Sequence, residues 1–277
     1  LLLGSGLLLR SFTQLVDVDL GYRTDNLTRI TFALGETRYP EPESVVAFAE
    51  QIEDRARSTA GIDAAGIAFA GTFGTSRITS HIFPLDRPDP RPGEELKATF
   101  DIVSPGFFDA LELSPVRGRF FTDTDTRNAP LALVISETLA ERYFPGSDPV
   151  GERARVGVGF GFDDDEDVAF TIVGVAPDIR AFSLTDPPPS SIYMAQSQSG
   201  VRSMSLLTRS KAGVDPVPAI RGHLAELDPS LPLRTIETQN AALDDELGPH
   251  RFYLSVLGAF ALVAVVLSAI GLYAVVA

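Results

Sequence analysis

Apolar and polar positions along the chain fall into runs with distinct periods. Residues 28–34 (TRITFAL) alternate, with Ile30, Phe32 and Leu34 on one face, which is the period of a half-buried strand. Tyr39-Pro40-Glu41-Pro42 is a turn and helix-start signal. Beyond it, Val45, Phe48, Ala49, Ile52 and Ala56 recur at helical spacing, and Gly61 is the expected C-cap. Residues 62–70 then read as a short apolar strand. The same order returns later: residues 203–209 (SMSLLTR) as strand, a helical stripe of Val217, Ile220, Leu224 and Leu227, then residues 231–236 (LPLRTI) as strand.

Two such β-α-β units make one four-stranded sheet with helices on one face. The fold class this predicts is α+β: a ferredoxin-like split β-α-β subdomain, interrupted by an inserted, mainly β subdomain. The interruption, residues 71–202, is rich in Pro, Gly and Asp and carries short strands such as 131–135 (LALVI) and 170–175 (FTIVGV). Ser136 is placed to cap a short helix running to Tyr143 and stopped by Pro145-Gly146. One or two small helices are expected there. Thr238 is placed to cap a last helix, with Leu243 and Leu247 facing inward.

The two ends have a different texture. Residues 252–277 contain no charged residue and no Asn, Gln or His. A helix needs only about 20 apolar residues to cross the hydrocarbon core, so the run predicts a spanning helix rather than a buried one. His250 and Arg251 sit at its interface, with Tyr253 as an aromatic anchor. The chain starts LLLGSGLLLR without an initiator Met, a basic n-region or a cleavage site, so residues 1–10 are expected to be the exit end of a first membrane helix, not a signal peptide.

Composition narrows the chemistry. Lys plus Arg number 23 against 37 Asp plus Glu, a net charge of -14 that disfavours nucleic acid and anionic lipid surfaces. With no Cys, disulfides, thiolate metal sites and Cys nucleophiles are excluded. Gly157, Gly159 and Gly161 mimic a phosphate loop, but Asp163-Asp164-Asp165-Glu166-Asp167 follows where a helix N-terminus is required. That acidic run lacks the alternating ligands, the glycine and the closing Glu of an EF-hand, so a solvated loop is expected rather than a calcium site. His81, His223 and His250 have no metal spacing, and Ser104 precedes a Pro-Gly turn with no base nearby. The sequence therefore gives no catalytic, cofactor-binding or metal site.

Four separated stretches together resemble one family, the MacB/FtsX-type permeases, and within it the duplicated permeases that carry the MacB-like periplasmic core domain. They are LLLGSGLLLRSFTQLVDVDLGY at the start; VSPGFFDAL (103–111) with RGRFF (117–121); VISETLAERYFPGSDPVG (134–151) with IVGV (172–175) and Asp178-Ile179-Arg180; and Arg251-Phe252 opening a helix that ends in IGLY (270–273). The resemblance covers nearly the whole chain.

What the resemblance implies is an ABC-transporter permease in the cell (inner) membrane, multi-pass, with residues 11–250 extracytoplasmic. Residues 1–10 would end the first transmembrane helix and 251–277 would form the second. Residues 11–70 and 203–247 would be the ferredoxin-like (Porter-like) subdomain, and 71–202 the inserted β-rich (Sabre-like) one. It would be no enzyme, because ATP hydrolysis falls to a separate ATPase, and no Walker motif occurs in the chain. The implied partners are a cytoplasmic ABC ATPase, a second copy or paired permease half, and a periplasmic adaptor. Its function would be mechanotransmission, coupling ATP-driven motion of the membrane helices to export or release of a substrate. The alternative is a membrane-anchored module that regulates or binds a partner without transport. Transmission requires stiff links, so residues 10–20 and 238–247 are expected to pack together as a stalk.

Overall fold

The structure is a computed structural model that describes residues 19–69, 78–85, 96–157, 168–181 and 186–243, with isolated helical positions between 256 and 270. The chain divides into a unit Leu20–Gln239 and a second comprising Leu1–Asp19 and Asn240–Ala277. The first unit holds every element below.

Strands β1 (Leu27–Ala33), β2 (Ile62–Phe69), β10 (Ser203–Ser210) and β11 (Leu233–Thr238) stand in the spatial order β11-β1-β10-β2, all antiparallel. Helix α1 (Pro42–Arg57) crosses from β1 to β2, and α5 (Val217–Leu227) from β10 to β11. Alternation along the strands puts Ile30, Phe32, Ile67, Met204 and Leu206 on one face, where Val45, Phe48 and Ile52 of α1 and Ile220 and Leu224 of α5 cover them. Phe48 meets Phe32 edge-on at 5.9 Å and Tyr39 at 5.4 Å. The sequence places these elements within a few residues. Gly61 is the exception: α1 ends at Arg57 with Ser58 as its C-cap, and Gly61, at φ +89°, turns the chain into β2 instead.

Between β2 and β10 the chain builds β3 (Thr79–Pro84), β4 (Leu96–Val103), α2 (Pro105–Ala110), β5 (Arg117–Gly118), β6 (Ala132–Ser136), α3 (Glu137–Tyr143), β7 (Arg153–Val156), β8 (Ala169–Ala176), β9 (Ser191–Ala195) and α4 (Gln196–Ser199). Six of these strands close into a ring in the order β4-β3-β7-β8-β6-β9, and β9 pairs back onto β4. Two of its pairings, β4 with β9 and β6 with β8, are parallel; such pairs join strands far apart in sequence and leave no local signal. Closure removes free edges, and the ring is filled by Ile82, Phe100, Ile102, Leu133, Ile135, Phe170, Ile172 and Met194, with Leu139 and Tyr143 of α3. This stretch holds three described helices where one or two were expected, because Ser104-Pro105-Gly106 is the start of α2 and not a turn. Pro105 sits in its first turn, where a missing N–H costs nothing.

Of residues 251–277, Val256, Gly258, Ala259, Phe260, Val263, Val266 and Ile270 are described, all helical. Among the described residues no helix is long and apolar enough to cross a membrane. The expected second span therefore lies largely outside the described residues, as do residues 1–10, residues 10–18 of the stalk and residues 244–247.

Candidate functional site

The residues with the most to do lie where the four-stranded sheet, α2 and the chain's two connections meet. The face of the sheet opposite α1 and α5 carries Arg209 at the end of β10, 6% exposed. Its guanidinium donates three hydrogen bonds to backbone carbonyls: Nε to Ala110 at 2.7 Å, and the terminal nitrogens to Asp25 at 2.7 Å and Arg23 at 2.6 Å. The planar fork suits three acceptors spread around it. Glu112 stands 3.5 Å from Arg209 Nε and pairs with Arg23 at 3.1 Å. Burial lowers the Arg209 pKa, and the Glu112 carboxylate acts against that shift. One side chain thus ties the lead-in to β1, the end of α2 and the end of β10.

The lead-in is also gripped from the other side. Arg180 N–H donates to the Leu20 carbonyl at 2.9 Å. Gly21, at φ +77°, presses against the loop after β8: a Cβ there would lie 2.1 Å from the Asp178 carbonyl oxygen. Asp178 in turn accepts from the Thr138 N–H at 2.9 Å and from its hydroxyl, fixing the first turn of α3. At the same end of the sheet, just past edge strand β11, the Gln239 amide donates to the Tyr22 hydroxyl at 3.0 Å. The segment entering the unit at Leu20 and the one leaving at Gln239 are therefore bonded to each other at their bases.

Helix α2 is welded to β2 by two glycines. A Cβ on Gly66 would lie 2.1 Å from the Phe107 nitrogen, and one on Gly106 would lie 2.1 Å from the Ala65 carbonyl oxygen. Only glycine at both positions permits this approach. Ser104 Oγ accepts the Ile67 N–H at 2.8 Å, and its hydroxyl is near enough to the carboxyl of Glu53 on α1 to favour the charged form. Phe107 and Phe108 enter an aromatic cluster with Phe121 and Tyr193, and Phe108 stacks on Phe120 at 3.8 Å. Glu53 is buried at 3% exposure and also pairs with Arg57 at 2.6 Å. Burial raises its pKa to about 7, against the lowering by Ser104 and Arg57.

The motifs between residues 117 and 151 are held by further close contacts. Gly118 (φ +67°) and Gly174 let the RGRFF strand lie flush on β8, and Arg119 grips Asp125 through two bonds of 2.6 and 2.8 Å. Burial alone would raise the Asp125 pKa, but the Arg119 and Thr122 hydrogen bonds outweigh it and hold the carboxyl below its ordinary value. Ser136 caps α3, accepting the Leu139 N–H at 3.3 Å, and also accepts the Ser191 N–H at 2.9 Å. Arg117, Glu141, Phe144, Pro145, Gly146 and Asp148 line an open groove of about 610 Å³.

The residues weighed for chemistry are scattered. His81 lies on β3, its ring 6.2 Å from Phe83, and His223 on α5 bonds the Thr59 hydroxyl at 2.9 Å. Gly157 follows β7 directly, its N–H bonded to the His81 carbonyl at 2.9 Å. Gly159, Gly161, residues 163–167 and His250 lie outside the described residues. No cluster able to hold a metal occurs among the described residues. The sequence reading missed Glu53, Arg209 and the Gly66–Gly106 contact. The available signal was a charged residue set within or beside an apolar run.

The unit is thus a mixed α+β domain whose shared elements bind its sheet, its strand ring and its two chain connections together. The sequence profile of the MacB-like periplasmic core domain matches residues 3–221. The chain belongs to that family, the periplasmic domain of MacB-type permeases. The macrolide export ATP-binding/permease protein MacB of Bdellovibrio bacteriovorus is 25% identical over 132 residues, 45% of this chain and 18% of that protein. The crystal structure of the periplasmic region of MacB from Actinobacillus actinomycetemcomitans superposes with a TM-score of 0.51 at 13% identity, covering 84% of this chain and 97% of the other. The extracellular domain of the ABC-type transporter YknZ from Gram-positive bacteria gives a TM-score of 0.46 at 15% identity, covering 75% and 100%.

Proposed function

We propose that this domain transmits force: it takes motion from membrane helices at its two chain connections and passes it to the strand ring, as part of an ABC-transporter permease. The observation that carries the reading is the bonding of the lead-in, residues 20–25, to Arg209 on one side and Arg180 on the other, with Tyr22 joined to Gln239 at the base. A soft connection would dissipate displacement. This one is held on one side by the charge-assisted bonds of the Arg209 guanidinium, about twice as strong as neutral ones, and on the other by neutral bonds from the Arg180 backbone N–H and the Gln239 amide.

In this reading residues 1–10 and 251–277 are transmembrane, residues 11–250 face the periplasm and the whole protein is multi-pass. Residues 11–70 with 203–247 form the ferredoxin-like part, which matches the strand order β11-β1-β10-β2, and residues 71–202 form the insertion. The exposed apolar row Val256, Phe260, Val263, Val266 and Ile270 supports a lipid- or helix-facing surface. The ATPase is a separate cytoplasmic subunit, and the permease works as a pair, with a periplasmic adaptor, to export a substrate. The test is affinity purification of the full-length protein from membranes. An ABC ATPase in stoichiometric amount is the expected result. Its absence, with a periplasmic hydrolase or lipoprotein recovered instead, favours a regulatory module and overturns transmission.

A further inference from the structure

We propose that Glu53 is a proton-dependent latch on the seat of α2 against the four-stranded sheet: the neutral carboxyl lets the seat close, and the ionised one loosens it. Glu53 projects from α1 into the joint where Gly106 of α2 meets Ala65 of β2, and a Cβ on Gly106 would lie 2.5 Å from Glu53 Oε1. The carboxyl has essentially no water, since the residue is 3% exposed. An ionised carboxylate removed from water needs strong compensation.

The compensation on offer is thin. On its own helix the charged neighbours are Arg57, 2.6 Å away but 45% exposed at its side chain, and Asp54, which is of the wrong sign and itself sits 3.6 Å from Arg57. Across the joint, the Ser104 hydroxyl and the Ala65 carbonyl face it, and neither carries a charge. One half-solvated cation shared between two carboxylates does not neutralise a buried anion. Burial accordingly moves the Glu53 pKa from 4.5 to about 7, inside the range that an extracytoplasmic domain experiences.

The sign of the linkage is fixed. With a folded pKa above the unfolded value, the stabilisation is fully present below pH 4.5 and is lost as pH rises through about 7. Opening of the α2 seat therefore increases by up to about tenfold per pH unit across that window and then levels off. The latch is a property of the domain itself and stands whether or not an ATPase partner is found. Its site joins α2, and through Ala110 the Arg209 clamp, to the helical layer.

The test is hydrogen exchange of the full-length protein, following the Phe107 and Leu111 amides, both hydrogen-bonded within the α2 turn. After correction for intrinsic exchange, the wild type should lose protection between about pH 5 and pH 7 and plateau above. E53Q, permanently neutral, should keep high protection with no pH dependence. R57Q, which removes the compensating cation, should move the midpoint upward. A wild-type profile that is flat, or an E53Q profile that follows the wild type, overturns the proposal. If E53Q does not fold, R57Q decides: an unchanged midpoint overturns it.

Discussion

Arg209→Ala removes the side chain that ties the lead-in, α2 and the sheet together, and its cost follows from where the stranded acceptors lie. Of the three carbonyls released, those of Arg23 and Asp25 belong to exposed residues and regain water. That of Ala110, a fully buried residue, does not. A stranded buried acceptor costs about 2 kcal/mol, and two rehydrated charge-assisted bonds cost about 1 kcal/mol together, so roughly 3 kcal/mol is lost. For a domain of this size about 1 kcal/mol shifts Tm by 2–4 °C, giving a drop of about 6–12 °C by circular dichroism or scanning calorimetry. Arg209→Lys keeps the charge but reaches fewer acceptors at once, so it should fall between wild type and Ala. A fall below about 2 °C for the Ala variant, under 1 kcal/mol on the same scale, would refute the clamp as a mechanical joint.

The remaining predictions concern the glycine weld and the RGRFF loop. Gly106→Ala drives a methyl into the Ala65 carbonyl and the Glu53 carboxyl and should cost about 3 kcal/mol or more by urea unfolding. Gly146→Ala, with a positive φ but open space around it, should cost only about 1 kcal/mol; equal losses at the two sites would contradict the close-packing argument. Asp125→Asn should destabilise at neutral pH. Because the Asp125 pKa is depressed, the gap to wild type should be full above pH 3.8 and shrink as pH falls below it; a gap independent of pH would contradict the Arg119 pairing.

How much of this was legible depended on the range of each interaction. The two β-α-β units were readable because Ile30 and Phe32, or Val45, Phe48 and Ile52, announce their period within a few residues. The ring was not, since the β4–β9 pairing joins Phe100 to Ile192 and either strand alone is only a short apolar run. VSPGFF was readable as a motif but not as a joint, because the partner of Gly106 is the backbone of β2, about forty residues earlier. Glu53 falls on the apolar stripe by spacing, four residues after Ala49 and eight after Val45, but a carboxylate on a helix whose other charges face water is assigned by residue type to the solvent side. Arg209 likewise closed an apolar strand, where a charge usually marks the return to the surface.

Force transmission is the central claim, and ATP hydrolysis measured on the membrane complex carrying wild-type or Arg209→Ala permease tests it most directly. Working at a temperature where both are folded, the account predicts an unchanged amount of bound ATPase but altered turnover in the variant, with a further change when residues 20–239 are excised. Identical turnover in all three complexes would contradict it.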